Sequence, residues 1–164
     1  MAAIQLNYGD NPLTEVQAKG RFWQRLRSVL FLLPAWFAPH KNLRVFFQRL
    51  RGVKIGKNVE IGYLCFIDNV YPDLVTIEDN AVVTFGTILL AHDNSFHYTF
   101  GEPVHIGRTT IGKNAFIGMH AVILPEVTVG AYAIVGANSV VTKNVPPRTI
   151  VGGVPAHKIR HTRK

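Results

Sequence analysis

The feature that most constrains the fold is a six-residue period that begins at Ile55. Aliphatic residues recur at every sixth position in three runs, and a small residue follows most of them four positions later, as at Cys65, Ala81 and Ala115. The aliphatic positions are Ile55, Ile61 and Ile67, then Ile77, Val83 and Leu89, then Ile111, Ile117, Ile123, Val129, Val135 and Val141. A period of six fits neither the 3.6-residue period of an α-helix nor the two-residue alternation of one long strand. It indicates a structural repeat.

Asparagine residues give this repeat its predicted shape. They stand three positions after the aliphatic residue at Asn58, Asn80, Asn114, Asn138 and Asn144. Asparagine tolerates positive φ better than other non-glycine residues, so each hexapeptide is predicted to be a short strand followed by a corner. Stacked strands and corners form a parallel β-helix with one continuous core. We therefore predict an all-β domain over residues 55–164.

Two interruptions break the period. Ile67 to Ile77 spans ten residues instead of six, and Leu89 to Ile111 spans twenty-two. The longer interruption opens with the sequence LLAHDNSFH at Leu89, and we predict that residues 93–105 form a loop extruded from the β-helix. A rigid repeat that places a loop beside a polar side chain is typical of a binding or catalytic pocket.

Residues 1–54 are predicted to form a separate, helical segment. Apolar residues recur at helical spacing from Gly20 to Leu33 and again from Asn42, and the opposite side of each helix is basic. Two interpretations stay open, since such helices can pack on the main domain or a neighbouring subunit, or attach to an anionic membrane surface. The apolar run VLFLLPAWFA is too short to span a bilayer and contains Pro34, so no transmembrane helix is predicted.

Composition restricts the partners and the compartment. The 164 residues suit one domain, and the net charge of +8 suits anionic ligands. Nucleic acid is not predicted, because the sequence lacks aromatic interleaving and any known nucleic-acid-binding module. The single Cys65 cannot form an internal disulfide, and residues 1–20 do not read as a signal peptide. We expect a cytoplasmic protein, at the inner face of the membrane if the helices bind lipid.

The repeat and the sequence after it resemble the hexapeptide-repeat acyltransferases, which include galactoside, maltose and antibiotic O-acetyltransferases. The resemblance covers residues 55–160, and its most specific part is the run IGMHAVILPEVTVGAYAIVGANSVVTKNVPPRTIVGGVPAHKIR. It implies a left-handed parallel β-helix, a homotrimer, and acetyl-CoA bound between neighbouring β-helices. The implied reaction is acetyl transfer to a hydroxyl group of a saccharide or glycan precursor, with no metal.

The resemblance also implies roles for residues near the extruded loop. His92 matches the family's general base, a group that must remove a proton from the acceptor hydroxyl near neutral pH. Asp68 lies one coil of eighteen residues before His92 once four extra residues loop out, so it could orient the histidine or the acceptor. Asp93, Glu102 and His120 are further candidates for acceptor contact.

The C-terminal tail matches the family's donor-binding positions. Lys143 and Arg160 match basic contacts to the phosphates of CoA, and the remaining matches line the pantetheine arm or its approach. These are Met119, Ala137, Thr142, Gly152 and Gly153. The chain departs from the family at His157, where galactoside enzymes tend to have arginine, and at Glu126, where glycine is usual.

Other functions stay open beside the leading one. Within the same class, the acceptor could be an amino sugar, often as a nucleotide adduct, or a small molecule that is detoxified. A zinc carbonic anhydrase of this fold would need three histidine ligands, and the order and spacing of His92, His97 and His120 do not match that class. A non-catalytic β-helix scaffold would not depend on His92.

Overall fold

The computed structural model describes residues 22–162 and begins with three helices. They are α1 (Phe22–Leu30), α2 (Leu32–Phe37) and α3 (Lys41–Arg51). The sequence predicted one helix from Gly20 to Leu33; Gly20 lies outside the described residues, and the helix breaks at Phe31. Pro34 explains the break, because it has no N–H for the carbonyl of Leu30 and its ring crowds that carbonyl. Among the described residues, no helix has the length and apolarity to cross a membrane.

The rest of the described chain is built from short strands. A first group comprises β1 (Lys54–Ile55), β2 (Glu60–Ile61), β3 (Phe66–Ile67), β4 (Val75–Ile77), β5 (Val82–Val83), β6 (Ile88–Leu89), β7 (His92–Asp93) and β8 (His105–Ile106). A second group comprises β9 (Thr109–Ile111), β10 (Phe116–Ile117), β11 (Val122–Ile123), β12 (Thr128–Val129), β13 (Ile134–Val135), β14 (Val140–Val141), β15 (Thr149–Gly152) and β16 (His157–His161). A short helix α4 (Ser95–Phe100) lies between β7 and β8.

Three sheets form the faces of a triangular prism. Face A has the order β1-β4-β9-β12, face B the order β16-β15-β13-β10-β5-β2, and face C the order β14-β11-β6-β3. All pairs in these faces are parallel except β15 with β16. Ile67 lies opposite Leu89, and Leu89 opposite Ile123. This register places both interruptions outside the coils and confirms the predicted parallel β-helix.

The core lies along the axis of the prism. Apart from the half-buried Ile55, the aliphatic residues of the hexapeptides are almost completely buried, and so are the small residues that follow four positions later, as in Ile117 with Ala121. Burying one such aliphatic side chain stabilises the fold by about 1.5–3 kcal/mol relative to exposing it. The small residues fit because the three faces converge at the corners and leave no room for larger side chains.

The corners follow one backbone rule. At the A–B and B–C edges of the prism, the third residue after the aliphatic one has positive φ, whatever its type, except after Val151, where Gly153 takes a positive φ instead. These residues are Asn58, Leu64, Asn80, Gly86, Asn114, His120, Tyr132, Asn138 and Arg148. The left-handed conformation turns the chain sharply, and asparagine and glycine adopt it at least cost.

The C–A edge, where face C passes to face A, departs from this rule. Only Glu126 has positive φ there; Val70, His92 and Asn144 hold the same repeat position without it. The prediction of a left-handed corner was therefore wrong for Asn144. Its side-chain oxygen instead accepts a hydrogen bond from the Thr128 N–H at 2.7 Å, which closes the corner by a side chain. The extruded loop also leaves the prism at this edge.

Helix α3 covers the first coil with its polar side. Arg44 is buried, donates to the carbonyls of Ile61 at 2.8 Å and Ala38 at 2.7 Å, and lies 4.0 Å from the ring centre of Tyr63. The helix ends at Gly52, whose φ is 114°. In α3 the two buried arginines, Arg44 and Arg51, face the domain; the sequence predicts that such helices could pack there but does not identify the side that makes the contact.

Candidate active site

A buried carboxylate and a histidine meet at the C–A edge. Asp68 directly follows β3 and is completely buried, and His92 begins β7, one coil further along the chain. His92 Nδ1 lies 2.5 Å from Asp68 Oδ2. The structure therefore brings together the two residues that the sequence proposed as base and orienting acid.

Asp68 is held as a carboxylate by its hydrogen bonds. Oδ1 accepts from the N–H groups of Val70 and Tyr71, both at 2.9 Å, and Oδ2 accepts from the N–H of Ala91 at 2.8 Å. Burial alone would raise the pKa of Asp68, but the bonds from His92, Tyr71 and Ala91 outweigh it, so the pKa lies below its usual value. Asp68 is accordingly ionised at neutral pH.

The ionised carboxylate selects the tautomer of His92. A carboxylate only accepts hydrogen bonds, so Nδ1 of the ring carries the proton and donates a hydrogen bond to Asp68. The lone pair of the neutral ring is then on Nε2. The His92 side chain is 16% exposed, and the ring of Tyr71 packs edge-on against it with centres 5.5 Å apart. This arrangement provides a fixed proton acceptor at the surface of the prism.

Arg51 of α3 lies behind this pair and was missed in the sequence. It is completely buried and donates to the carbonyls of Ile67 at 2.9 Å and Asp68 at 3.2 Å. It also donates to the Gln48 side chain at 2.6 Å and the Ser28 carbonyl at 3.1 Å. Burial lowers its pKa to about 10, against the attraction of Asp68, so it stays charged at neutral pH. Arg51 thus connects the helical segment to the corner that carries Asp68.

A signal for Arg51 is present in the sequence. Arg44, Gln48 and Arg51 share one side of α3 at spacings of four and three residues, and the pattern predicts only that this side is polar and basic. Helical periodicity separates two sides of a helix. It does not identify the side that faces the protein.

The extruded loop is present and contains ordered structure. β7 and β8 form an antiparallel pair with His92 opposite Ile106, and α4 connects them. Asp93 Oδ1 accepts from the N–H of Ser95 at 2.7 Å, so this carboxylate caps the start of α4. Glu102 is exposed near the end of the loop, and its carbonyl lies 2.8 Å from His97 Nδ1.

Exposed aromatic rings on α4 are a second feature that the sequence did not predict. Tyr98 and Phe100 are largely exposed, and Phe96 packs against Phe100 with ring centres 5.7 Å apart. They lie within the predicted loop, but their spacing on so short a helix gives no clear periodic signal.

Another polar pair lies on the C–A edge. His105 Nε2 is 3.5 Å from Glu126 Oε2, and His105 is opposite Asp93 in the β7–β8 pair. Burial lowers the pKa of His105, and the carboxylates of Glu126 and Asp93 oppose that fall. The glutamate that departs from the family pattern therefore lies beside the extruded loop.

The predicted donor-binding residues lie along two edges that border face C. Thr142 and Lys143 follow β14 on the C–A edge, the edge that also carries His92. Lys143 is exposed and Thr142 is half-buried. The other edge, B–C, carries Met119, Ala137 and Gly153, each two residues after a face B aliphatic.

His120 lies on the B–C edge and not beside His92. It has positive φ and its ring packs edge-on against Phe85, with centres 5.2 Å apart. Within one chain the structure therefore places His92 and His120 at different corners of the prism.

The end of the described chain presents the last predicted donor contacts. Arg160 is exposed in β16, opposite Ile150 of β15. Gly152 ends β15, and a Cβ there would lie 3.0 Å from the side chain of Ile159. Gly153 has φ of 101° and donates its N–H to the Ser139 hydroxyl at 3.1 Å. Gly153 adopts a backbone conformation that favours glycine, whereas a Cβ at Gly152 would meet only the end of the exposed Ile159 side chain, which can shift.

Comparison with known proteins agrees with this fold. A family model described as bacterial transferase hexapeptide (six repeats) matches residues 108–143. The chain is 38% identical over 116 residues to galactoside O-acetyltransferase of Escherichia coli, covering 64% of this chain and 55% of that protein. It is 29% identical over 149 residues to the putative acetyltransferase YvoF of Bacillus subtilis, covering 90% and 83% of the two chains. The chain thus spans about half the length of the galactoside enzyme.

A solved structure extends the likeness to the helical segment. The hexapeptide-repeat-containing acetyltransferase VCA0836 of Vibrio cholerae, in complex with acetyl coenzyme A, aligns with a TM-score of 0.71 at 24% identity. The alignment covers 94% of this chain and 93% of that one. The predicted left-handed β-helix with an N-terminal helical segment is therefore confirmed.

Proposed function

We propose that the chain is a hexapeptide-repeat acyltransferase that transfers the acetyl group of acetyl-CoA to a hydroxyl group of a saccharide or glycan precursor. The observation that carries this proposal is the pair formed by Asp68 and His92. It presents the Nε2 nitrogen of an imidazole at the edge of the prism, and a buried carboxylate holds the ring in place through Nδ1. Such a nitrogen can accept the proton of a hydroxyl group.

The reaction proceeds by direct attack on the thioester. Nε2 of His92 takes the proton of the acceptor hydroxyl while the acceptor oxygen forms a bond to the thioester carbonyl carbon. The carbon–sulfur bond then breaks, and the departing CoA sulfur takes the proton back from the imidazolium. Asp68 stabilises the imidazolium between these steps and keeps the ring in place. No nucleophilic serine or cysteine is required.

The donor site has charged residues at one end and the residues that line the pantetheine arm at the other. Lys143 and Arg160 are exposed cations that can pair with the phosphates of CoA. Thr142 adds a hydroxyl on the C–A edge, and Met119, Ala137, Gly152 and Gly153 let the pantetheine arm lie close to the backbone. Since these residues occupy two edges of one prism, a homotrimer would bring the edges of neighbouring chains together around one acetyl-CoA.

The acceptor site is formed by the extruded loop. Asp93 and Glu102 provide hydrogen-bond acceptors for sugar hydroxyls, and the exposed rings of Tyr98 and Phe100 provide apolar faces on which a sugar ring can lie. His120 lies on another edge of its own chain, so we assign it to the acceptor site of a neighbouring subunit.

Acceptor screening with a matched variant tests the proposal. The full-length protein is incubated with acetyl-CoA and a set of saccharides, and free thiol and the gain of one acetyl group by mass spectrometry are measured. We expect His92→Ala to lower kcat by at least about a hundredfold, since a general base contributes 10²–10⁴-fold. His40→Ala, which removes an exposed histidine at the start of α3, is the control. Undiminished turnover by His92→Ala would disprove the mechanism.

The nature of the acceptor atom is read from the product. An ester formed on a hydroxyl group is cleaved by mild alkali, whereas an amide formed on an amino sugar survives the same treatment. Survival of the acetyl group would replace the proposed hydroxyl acceptor with an amine. Acetyl-CoA binding that is unaffected by His92→Ala, with no acetylated product from any acceptor, would favour a scaffold.

A further inference from the structure

Helix α1 is oriented with its polar side toward the protein. Ser28 is completely buried, and its carbonyl and hydroxyl accept hydrogen bonds from Arg51 at 3.1 and 3.3 Å. Gln24 donates a hydrogen bond to the Asp73 carboxylate, and Arg27 lies near Gly52 at the end of α3. In a globular protein the apolar side of an amphipathic helix normally faces the core. Here that side faces away from it.

The outward side of α1 and the start of α2 form a surface that we call the apolar helix face, which consists of Phe22, Trp23, Leu26, Val29, Leu30 and Leu33. Trp23 is 75% exposed, Leu30 65% and Leu26 49%. Single exposed apolar residues are common in soluble proteins, but six on one helical surface indicate an interaction site.

The segment of sequence that carries this face contains charged residues of one sign only. Residues 22–59 contain eight lysines and arginines and no aspartate or glutamate. The remaining sequence contains ten residues of each sign, so the net charge of +8 resides in this segment. Arg44 and Arg51 are buried, whereas Arg25, Arg27 and Arg49 are among the exposed cations.

We propose that the apolar helix face docks on an anionic phospholipid bilayer. The tryptophan, phenylalanine and leucine side chains enter the boundary between headgroups and acyl chains, and the exposed cations pair with lipid phosphates. A second copy of the same surface is a poorer partner, because it would bring two cationic segments without carboxylates into contact. The proposal is independent of acetyl transfer, and its failure would leave the proposed function unaffected.

Vesicle flotation and tryptophan emission test this docking. Phosphatidylcholine vesicles with and without phosphatidylglycerol are mixed with the full chain, and a Trp36→Phe background leaves Trp23 as the reporter. We expect at least about tenfold tighter binding to the anionic vesicles, weakening with salt, because each cation near an anionic surface strengthens binding roughly fivefold. The emission of Trp23 should shift to the blue on binding.

Introducing negative charge into the apolar helix face provides the decisive variant. Leu26→Asp/Leu30→Asp changes two exposed side chains and should abolish flotation while leaving the circular dichroism spectrum and elution volume unchanged. Phe116→Asp is the control, since Phe116 is 42% exposed on the β-helix and should not affect flotation. The proposal fails if the wild-type protein does not float, or if the double variant floats equally well. Loss of self-association in the double variant, without wild-type flotation, would assign the face to another copy.

Discussion

The A–B and B–C edges of the prism differ from the C–A edge in how the chain turns. At the first two edges every corner before β15 places a left-handed residue three positions after the aliphatic one, regardless of side chain. At the C–A edge the turns after β3, β6 and β14 are made by an aspartate-capped corner, an extruded loop and an asparagine cap. The regular edges fix the position of the strands. The irregular edge provides the proposed base, because its side-chain-capped turn holds the buried carboxylate that orients His92.

Replacing the carboxylate of the irregular edge should have the largest effect. In Asp68→Asn the amide no longer selects the tautomer with a proton on Nδ1, so we expect kcat to fall about 10²–10⁴-fold. Initial rates with saturating acetyl-CoA measure this. Asp73→Asn, which changes a carboxylate that contacts Gln24 and not His92, is the control and should retain wild-type kcat. Equal rates for both variants would mean that Asp68 has no orienting role.

Removing the cation behind the irregular edge should come next. Arg51→Met leaves the carbonyls of Ile67 and Asp68 and the Gln48 side chain without their donor, and each such loss costs about 1–3 kcal/mol. We expect the free energy of unfolding to fall by about 3 kcal/mol or more. Urea denaturation measures the change. Arg49→Ala, an exposed arginine that bonds the carbonyls of Ile55 and Gly56, should cost less than about 1 kcal/mol.

A lysine on each kind of edge separates donor binding from general surface charge. Lys143→Ala on the C–A edge should raise the KM for acetyl-CoA about tenfold, because one charge-assisted contact to phosphate is lost. Lys113→Ala removes the same charge from the A–B edge and should leave KM unchanged. If both variants raise KM equally, the effect is long-range attraction and not a contact.

The smallest effects should reveal the two corner types directly. Asn114→Gly keeps a residue suited to positive φ, so we expect a change within about 0.5 kcal/mol. Asn144→Gly removes the acceptor for the Thr128 N–H and loosens a corner that does not need glycine, which should cost about 1–2 kcal/mol. Thermal unfolding of the two variants measures the difference. The reverse order would show that the two edges do not differ in the proposed way.

Much of the fold could be predicted from the period of six. A repeat that restarts after ten and twenty-two residues defines the coils, and counting eighteen residues per coil was enough to pair Asp68 with His92. The same count of eighteen residues per coil, applied to His120, places it on another edge of the prism. The role of His92 came from the resemblance, because one histidine in a loop has no distinguishing local pattern.

The helical segment was harder to predict because its signals were local. The spacing of Leu26, Val29 and Leu30 predicts an amphipathic helix, and that helix is present. Which side faces the β-helix depends on distant partners such as Asp73 and Ile67, which no spacing within the helix encodes. For this reason the sequence does not predict that Arg51 connects the two parts of the molecule.

The unequal spacing between paired strands has a consequence for the order of assembly. Ile117 and Val135 pair across 18 residues, whereas Val83 and Ile117 pair across 34, because the extruded loop lies between them. The entropy of closing a loop grows with its length, by about 0.6 kcal/mol for each doubling, and local contacts generally form first. We therefore expect the C-terminal coils to close early and serve as a template, and the coil that carries His92 to join them later. In native-state hydrogen exchange, that junction should open before the rest of the stack.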